Sequence, residues 1–163
     1  MAPRPYVFVN MAMTADGKID TVARQGARIS GAADTARVDR LRAGADAVMV
    51  GGRTLFAEDP RLTVRDAALV AERILTGREA QPMKVGVSSR VELSGERSLR
   101  PEGDFMRAGD GRVLLCTSSR TDPPTVAALA ELDIEVVVTG EERVDLATAL
   151  AALSIRGVER LMV

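Results

Sequence analysis

Short apolar runs alternate along the chain with stretches whose apolar residues recur at helical spacing. The runs Tyr6–Met11, Ala47–Val50, Met83–Val87, Arg112–Cys116, Glu135–Val138 and Arg160–Val163 predict six strands. Several are continuous rather than alternating, as expected for strands covered on both faces of a parallel sheet. The predicted helices carry their own punctuation. Ser30 is placed to cap one running through Ala43, with Val38 and Leu41 facing inward and Gly44 as the stop. A second runs from Asp66 to Thr76, with Gly77 after it. Asp122-Pro123 opens a third, carrying Val126, Leu129 and Ala130; proline suits the first helical position. Asp145 caps the last, where Leu146, Ala149, Leu150 and Leu153 form an apolar stripe.

This alternation predicts one α/β domain over residues 1–163, with a mostly parallel central sheet flanked by helices. Ser88 to Gly111 breaks the rhythm and reads as a long connection or a hairpin, closing in the turn Gly109-Asp110-Gly111. Arg160–Val163 reads as a buried strand inside which the sequence stops, so the domain is expected to lack its C-terminal part.

Composition removes whole classes of chemistry. The 163 residues include no histidine, which excludes Ser-His-Asp and Cys-His catalysis and every histidine-ligated metal site. The one cysteine, Cys116, lies in the apolar run Val113–Cys116 and reads as an inert core residue. A formal net charge of −1, with one Tyr, three Phe and no Trp, argues against nucleic acid or a membrane surface as partner. The apolar run after the N-terminus is too short for a signal sequence or a membrane span, so a cytoplasmic protein is expected.

Three polar clusters stand against the apolar runs. Asn10 to Ile19 follows the first strand, where open α/β sheets place ligand contacts; Asp16-Gly17 reads equally well as a surface turn. Arg37, Arg40 and Arg42 lie on the first helix, where a solvated basic face is the default. Val50 to Thr54, with Glu58 to Arg65, puts two glycines after a strand, open to close approach by a phosphate or ring. Neither a Rossmann fingerprint nor a P-loop is present. Glu58 and Asp59 are adjacent and make no obvious acid–base pair. Residue chemistry by itself leads to an α/β domain with an anion or nucleotide site.

Together these segments resemble the pyrimidine reductases of riboflavin biosynthesis, which share a dihydrofolate-reductase-like fold. The resemblance rests on Arg4–Val7, Asn10–Ile19, Ile29-Ser30-Gly31 with Arg37–Ala43, and Asp46–Arg65; beyond Pro82 it is mainly one of strand–helix order. It implies reduction of a ribosylamino-pyrimidine 5′-phosphate to its ribitylamino form by hydride transfer to C1′ of the opened sugar, with NADPH (or NADH) as cofactor and no metal. Asn10 is then expected to face the substrate ribose, with Asp16 handling a proton or binding the ribose. Arg42 and Arg65 fall on the substrate phosphate, with Gly26 and Leu62 lining that pocket. Ala12, Thr54, Glu58, Ser88, Ser89 and Arg90 fall on the cofactor, flanked by Arg28. Glu58 stands where the family usually has Asp, and Val87 where an Asp is common. Asn10, and the lack of a deaminase half ahead of it, favour the archaeal or fungal type, which acts on the diamino-pyrimidinone. A homodimer is also implied. Two alternatives remain open: a reductase of the same fold acting on another pterin- or pyrimidine-like substrate, and a non-catalytic ligand-binding remnant.

Overall fold

A computed structural model describes residues 3–22 and 29–163. Its strands are β1 (Tyr6–Phe8), β2 (Ala47–Gly51), β3 (Met83–Val87), β4 (Val113–Thr117), β5 (Ile134–Val138) and β6 (Arg160–Met162). Its helices are α1 (Ala32–Ala43), α2 (Gly52–Glu58), α3 (Ala67–Leu75), α4 (Asp104–Arg107), α5 (Pro123–Glu131) and α6 (Leu146–Ile155). All pairings within the six-stranded sheet are parallel, in the order β1-β6-β2-β3-β4-β5. The buried strands β3 and β4 lie inside it, neither at an edge. The chain returns at β6, which inserts between β1 and β2 with Val7 opposite Leu161 and Ala47 opposite the same leucine. Reversal of strand order of this kind opens a crevice at the carboxyl ends of the strands.

Each face of the sheet has its own apolar layer. On one, Val48, Leu115 and Met162 meet Leu55 of α2, Phe105 of α4 and Leu129 of α5, with Val38 and Leu41 of α1 packed alongside. On the other, Met49, Val85, Leu114, Cys116 and Leu161 meet Ala149 and Leu153 of α6. Leu114, Leu115, Leu153 and Leu161 are fully excluded from solvent, each contributing about 1.5–3 kcal/mol by burial.

Buried polar side chains tie the connections to this frame. Arg73 donates from Nη1 to the carbonyls of Ala43 and Ala45, both at 2.7 Å, and from Nε to Glu79 at 2.9 Å. It thereby satisfies carbonyls at the C-terminus of α1, where a cation also complements the helix dipole. Asp46 accepts the amides of Glu159 and Arg160 at 3.0 and 2.8 Å, fastening β6 to the start of β2.

Several local expectations are corrected. β1 stops at Phe8 rather than Met11, because this edge strand pairs with β6 alone and β6 ends at Met162. The N-cap of α1 is Gly31 without a side-chain cap, so Ser30 sits one residue too early for that role. The glycine-rich stretch after β2 enters helix α2 at once, a seven-residue element too short to show a period. Ser88–Gly111 contains a one-turn helix, α4, and a single bridge between Glu92 and Ser98 rather than a hairpin.

Candidate active site

The residues singled out in the sequence gather in three places. After β1, the Asn10 amide donates to the Val163 carbonyl at 2.9 Å, continuing the line of the β1–β6 pairing beyond both strands. Its side-chain Oδ1 accepts from Arg37 Nη2 at 2.7 Å, while Arg37 Nε donates to Asp34 Oδ1 at 2.8 Å. The loop beyond it is exposed and includes Ala12. Asp16 lies in a tight turn closed by hydrogen bonds between Thr14 and Lys18, with Gly17 at φ 78°. The Lys18 ammonium, and after it the Thr14 hydroxyl, hold the Asp16 carboxyl below the ordinary aspartate range. An exposed carboxylate so stabilised is an acceptor at neutral pH and not a proton donor.

After β2 and β3 lies a groove of about 600 Å³ whose lining includes Gly52, Arg53, Phe56, Ser88 and Arg97. A Cβ on Gly52 would stand 2.9 Å from Ser88 Cβ and Oγ, so glycine is required for the two strand ends to meet. No heavy atom lies within 4 Å of where a Cβ on the preceding Gly51 would be, leaving that face of the strand end open to a ligand. Thr54 is half-buried in α2 and Glu58, the last residue of that helix, is exposed. The Ser88 hydroxyl donates to the Arg90 carbonyl at 2.8 Å. Ser89 turns away from the groove: its hydroxyl accepts from the Val144 amide and its carbonyl from the Ser118 hydroxyl. Arg90 pairs with Glu92 at 3.0 Å and stays half-exposed.

The third place lies between α1 and α3. Asp39, 5% exposed, accepts the Arg65 amide on both oxygens at 3.0 Å and the Asp66 amide at 2.7 Å. The Arg65 guanidinium comes to 3.8 Å of the same carboxylate. Arg42 donates to the Thr63 carbonyl at 3.1 Å, and its Nε is buried without a hydrogen-bond partner. Burial, above all, and the positive charge of Arg65 push the Arg42 pKa down, against the opposing pull of Asp39. A cavity of about 600 Å³ runs past Ala32, Thr35, Asp39 and Arg65. Leu62 has φ 54° and is 3% exposed, so it belongs to the core and not to the lining of this cavity. Such strain at a residue with a Cβ persists only where surrounding contacts enforce it.

Asn10 and the Arg42–Arg65 pair do not share one face of α1. Arg37, which reaches Asn10, and Asp39, which holds Arg65, are two residues apart and point to different sides of the helix. Gly26 and Arg28 lie outside the described residues. Sequence reasoning left Arg37 on a solvated face and gave Asp39 no role; the only local signal for either was its i,i+3 partner, Asp34 and Arg42 respectively. Asp59, which with its neighbour Glu58 makes no acid–base pair, proves structural. It ends α2 at φ 47° and accepts the amides of Asp104 and Phe105.

The family model of the RibD C-terminal domain matches residues 5–163. The chain is 43% identical over 160 residues to the 2,5-diamino-6-ribosylamino-4(3H)-pyrimidinone 5′-phosphate reductase of Archaeoglobus fulgidus, covering 98% of this chain and 69% of that protein. It is 40% identical to the protein of the same name from Methanothermobacter thermautotrophicus, covering 98% of this chain and 66% of its relative. The chain thus spans about two thirds of the length of these relatives. Among solved structures, a pyrimidine reductase-like protein from Corynebacterium diphtheriae superposes with a TM-score of 0.75 at 20% identity, over 97% of this chain and 64% of that one. By sequence and by fold, this chain belongs to the RibD C-terminal domain family of riboflavin-biosynthesis reductases.

Proposed function

We propose that the chain performs the NADPH-dependent reduction of 2,5-diamino-6-ribosylamino-4(3H)-pyrimidinone 5′-phosphate to the ribitylamino compound. The observation that carries this reading is the buried, unpartnered Nε of Arg42 beside the Arg65 guanidinium. Arg42, held against burial, with the half-exposed Arg65 guanidinium beside it, fits a phosphate dianion, which would supply the missing acceptor and further negative charge. The names of the archaeal relatives supply the substrate to which such a site would belong.

Asn10 is assigned to the substrate ribose, with Ala12 beside the cofactor. The groove between Gly52 and Ser88 suits an extended nucleotide; Thr54, Glu58 and Arg90 lie outside its lining, on α2 and on the turn after β3, and are assigned to the cofactor, with Ser89 supporting the Ser88 turn from behind. A nicotinamide cofactor bound there supplies the hydride. The protein's own part is positioning and charge complementarity, since the addition to C1′ needs no protein nucleophile. Asp16, held ionised by Lys18, is assigned to a ribose hydroxyl as an acceptor. Exposure of Tyr6, Val7 and Val9 along the β1 edge supports a homodimer as the working unit, and the reaction is assigned to the cytoplasm.

The test is a calorimetric titration with NADPH and NADH, followed by turnover of the diamino-pyrimidinone phosphate. Tighter binding of NADPH with conversion to the ribitylamino product is the expected result. A folded protein that binds neither nucleotide nor substrate refutes the assignment.

A further inference from the structure

We propose that Arg37 is a positioning residue for this reaction: it holds the Asn10 amide so that the two Nδ2–H bonds, and not the carbonyl oxygen, face the ligand. The inference rests on the assignment of Asn10 to the substrate ribose. Arginine has donors and no acceptor, so the 2.7 Å contact from Arg37 Nη2 identifies the atom it meets as Oδ1 and fixes the amide end for end. The guanidinium is itself set by Asp34, whose Oδ1 receives Nε at 2.8 Å and lies 2.7 Å from Nη2. Asp34, Arg37 and Asn10 thus form a relay from the first turn of α1 to the end of β1. The backbone of Asn10 is pinned separately, by its amide on the Val163 carbonyl at 2.9 Å. With Oδ1 turned to Arg37, the Nδ2–H bonds are the face the amide presents on its other side. The ligand atom opposite must therefore be an acceptor, such as a sugar or phosphate oxygen.

The arrangement predicts an order of variants that helix stability alone would not produce. Arg37→Met frees the amide to rotate and lowers kcat about tenfold with little change in KM for the pyrimidine phosphate. Arg37→Lys keeps a donor-only cation and recovers most of the loss. Arg37→Glu offers only acceptors, turns the amide round and is slower than the methionine variant. Asn10→Asp keeps the size and the pairing with Arg37 but has no donor left, and loses activity as Arg37→Glu does.

A second readout does not depend on turnover. Asn10 is the only asparagine, and Gln25 and Gln81 are the only glutamines, so three side-chain amide signal pairs are expected in a ¹H–¹⁵N spectrum. Loss of one pair in Asn10→Asp assigns it. Arg37→Met must shift that pair well beyond the glutamine pairs; an unmoved signal overturns the proposal. A moved signal with wild-type kcat and KM in the methionine and glutamate variants overturns it equally. If the wild-type protein fails to turn over the substrate, the functional assignment is what fails. The proposal is then decided by titration with the pyrimidine phosphate, which must shift the Asn10 signal in the wild type and not in Arg37→Met; equal behaviour of the two proteins overturns it.

Discussion

The carboxylate of Asp59 caps a helix that begins at Asp104, receiving the Asp104 and Phe105 amides at 2.9 Å each. It does so from a left-handed conformation at the end of α2, with no room for a side chain on Gly103 beside it. The contact joins the segment after β2 to the long connection after β3.

Asp59→Ala is expected to lower stability by about 1–2 kcal/mol, the usual cost of losing a helix cap, with the strained backbone adding to it. Asp59→Asn keeps an acceptor and tolerates the left-handed conformation, and is expected to recover most of the loss. Urea unfolding of the two variants at neutral pH checks this; equal stability of Asp59→Ala and wild type would show that the cap contributes nothing.

Lys84 sits in the middle of β3, fully excluded from solvent, donating to the carbonyls of Ala108 at 3.0 Å and Met106 at 3.3 Å. Burial, the main cause, pushes its pKa down, while Asp104 and Asp59 oppose the shift. Between the folded pKa and the ordinary lysine value of 10.5 the unfolded chain binds the extra proton, so this group makes the fold more stable as pH rises through that window. As pH falls through the folded pKa, that contribution is lost. Lys84→Met removes it. The difference in unfolding free energy between wild type and Lys84→Met should therefore move in favour of wild type on going from pH 7 towards 10.5, and a pH-independent difference would contradict the sign argued here.

Cys116 shows the opposite sign. Burial in β4 pushes its thiol up to about 11 from 9.0, so its contribution is complete below pH 9 and fades as pH rises through the folded value. A thiol in that state is a poor nucleophile. Native protein at pH 8 is expected to leave a disulfide reagent such as Ellman's unreacted over many minutes, and to react with one equivalent once unfolded in guanidinium. Fast reaction of the folded protein would place the cysteine outside the core.

The difference between what could and could not be foreseen follows from the range of the interactions. The run Val113–Cys116 carries its burial in its own composition, so β4 is legible from hydrophobicity alone; Met83–Val87 is legible as a strand, but the burial of its Lys84 depends on the distant carbonyls of Met106 and Ala108. Asp66, Asp122 and Asp145 cap through bonds to amides two or three residues on, again a local signal; Asp122 and Asp145 open their helices as expected, while Asp66 proves to be the cap and not the first residue of its helix. The insertion of β6 between β1 and β2 is set by pairing over more than a hundred residues, which no window on the chain contains. The same holds for Arg37, whose partner Asn10 is 27 positions away, and for Asp59, whose partner amides are 45 and 46 away. The family resemblance named Arg42 and Arg65, but the residue that brings them together, Asp39, came only from the structure.

That arginine pair gives the sharpest test of the substrate assignment. Arg42 already donates to Thr63 and keeps its Nε buried and free, while Arg65 is half-exposed and only loosely paired with Asp39 at 3.8 Å. A phosphate entering here would take the free Nε and draw Arg65 off Asp39, and a lysine at either position would lose the two-pronged geometry. Arg42→Lys and Arg65→Met are each expected to raise KM for the pyrimidine 5′-phosphate at least about tenfold, corresponding to about 1.4 kcal/mol, while leaving the affinity for NADPH unchanged. The dephosphorylated ribosylamino-pyrimidine separates this from general damage to the site. Wild type should prefer the phosphorylated compound strongly, and both variants should lose that preference by weakening on the phosphate ester alone. If the variants instead lost both compounds in equal proportion, or lost NADPH affinity, the arginines would be holding α1 against α3 and not the phosphate.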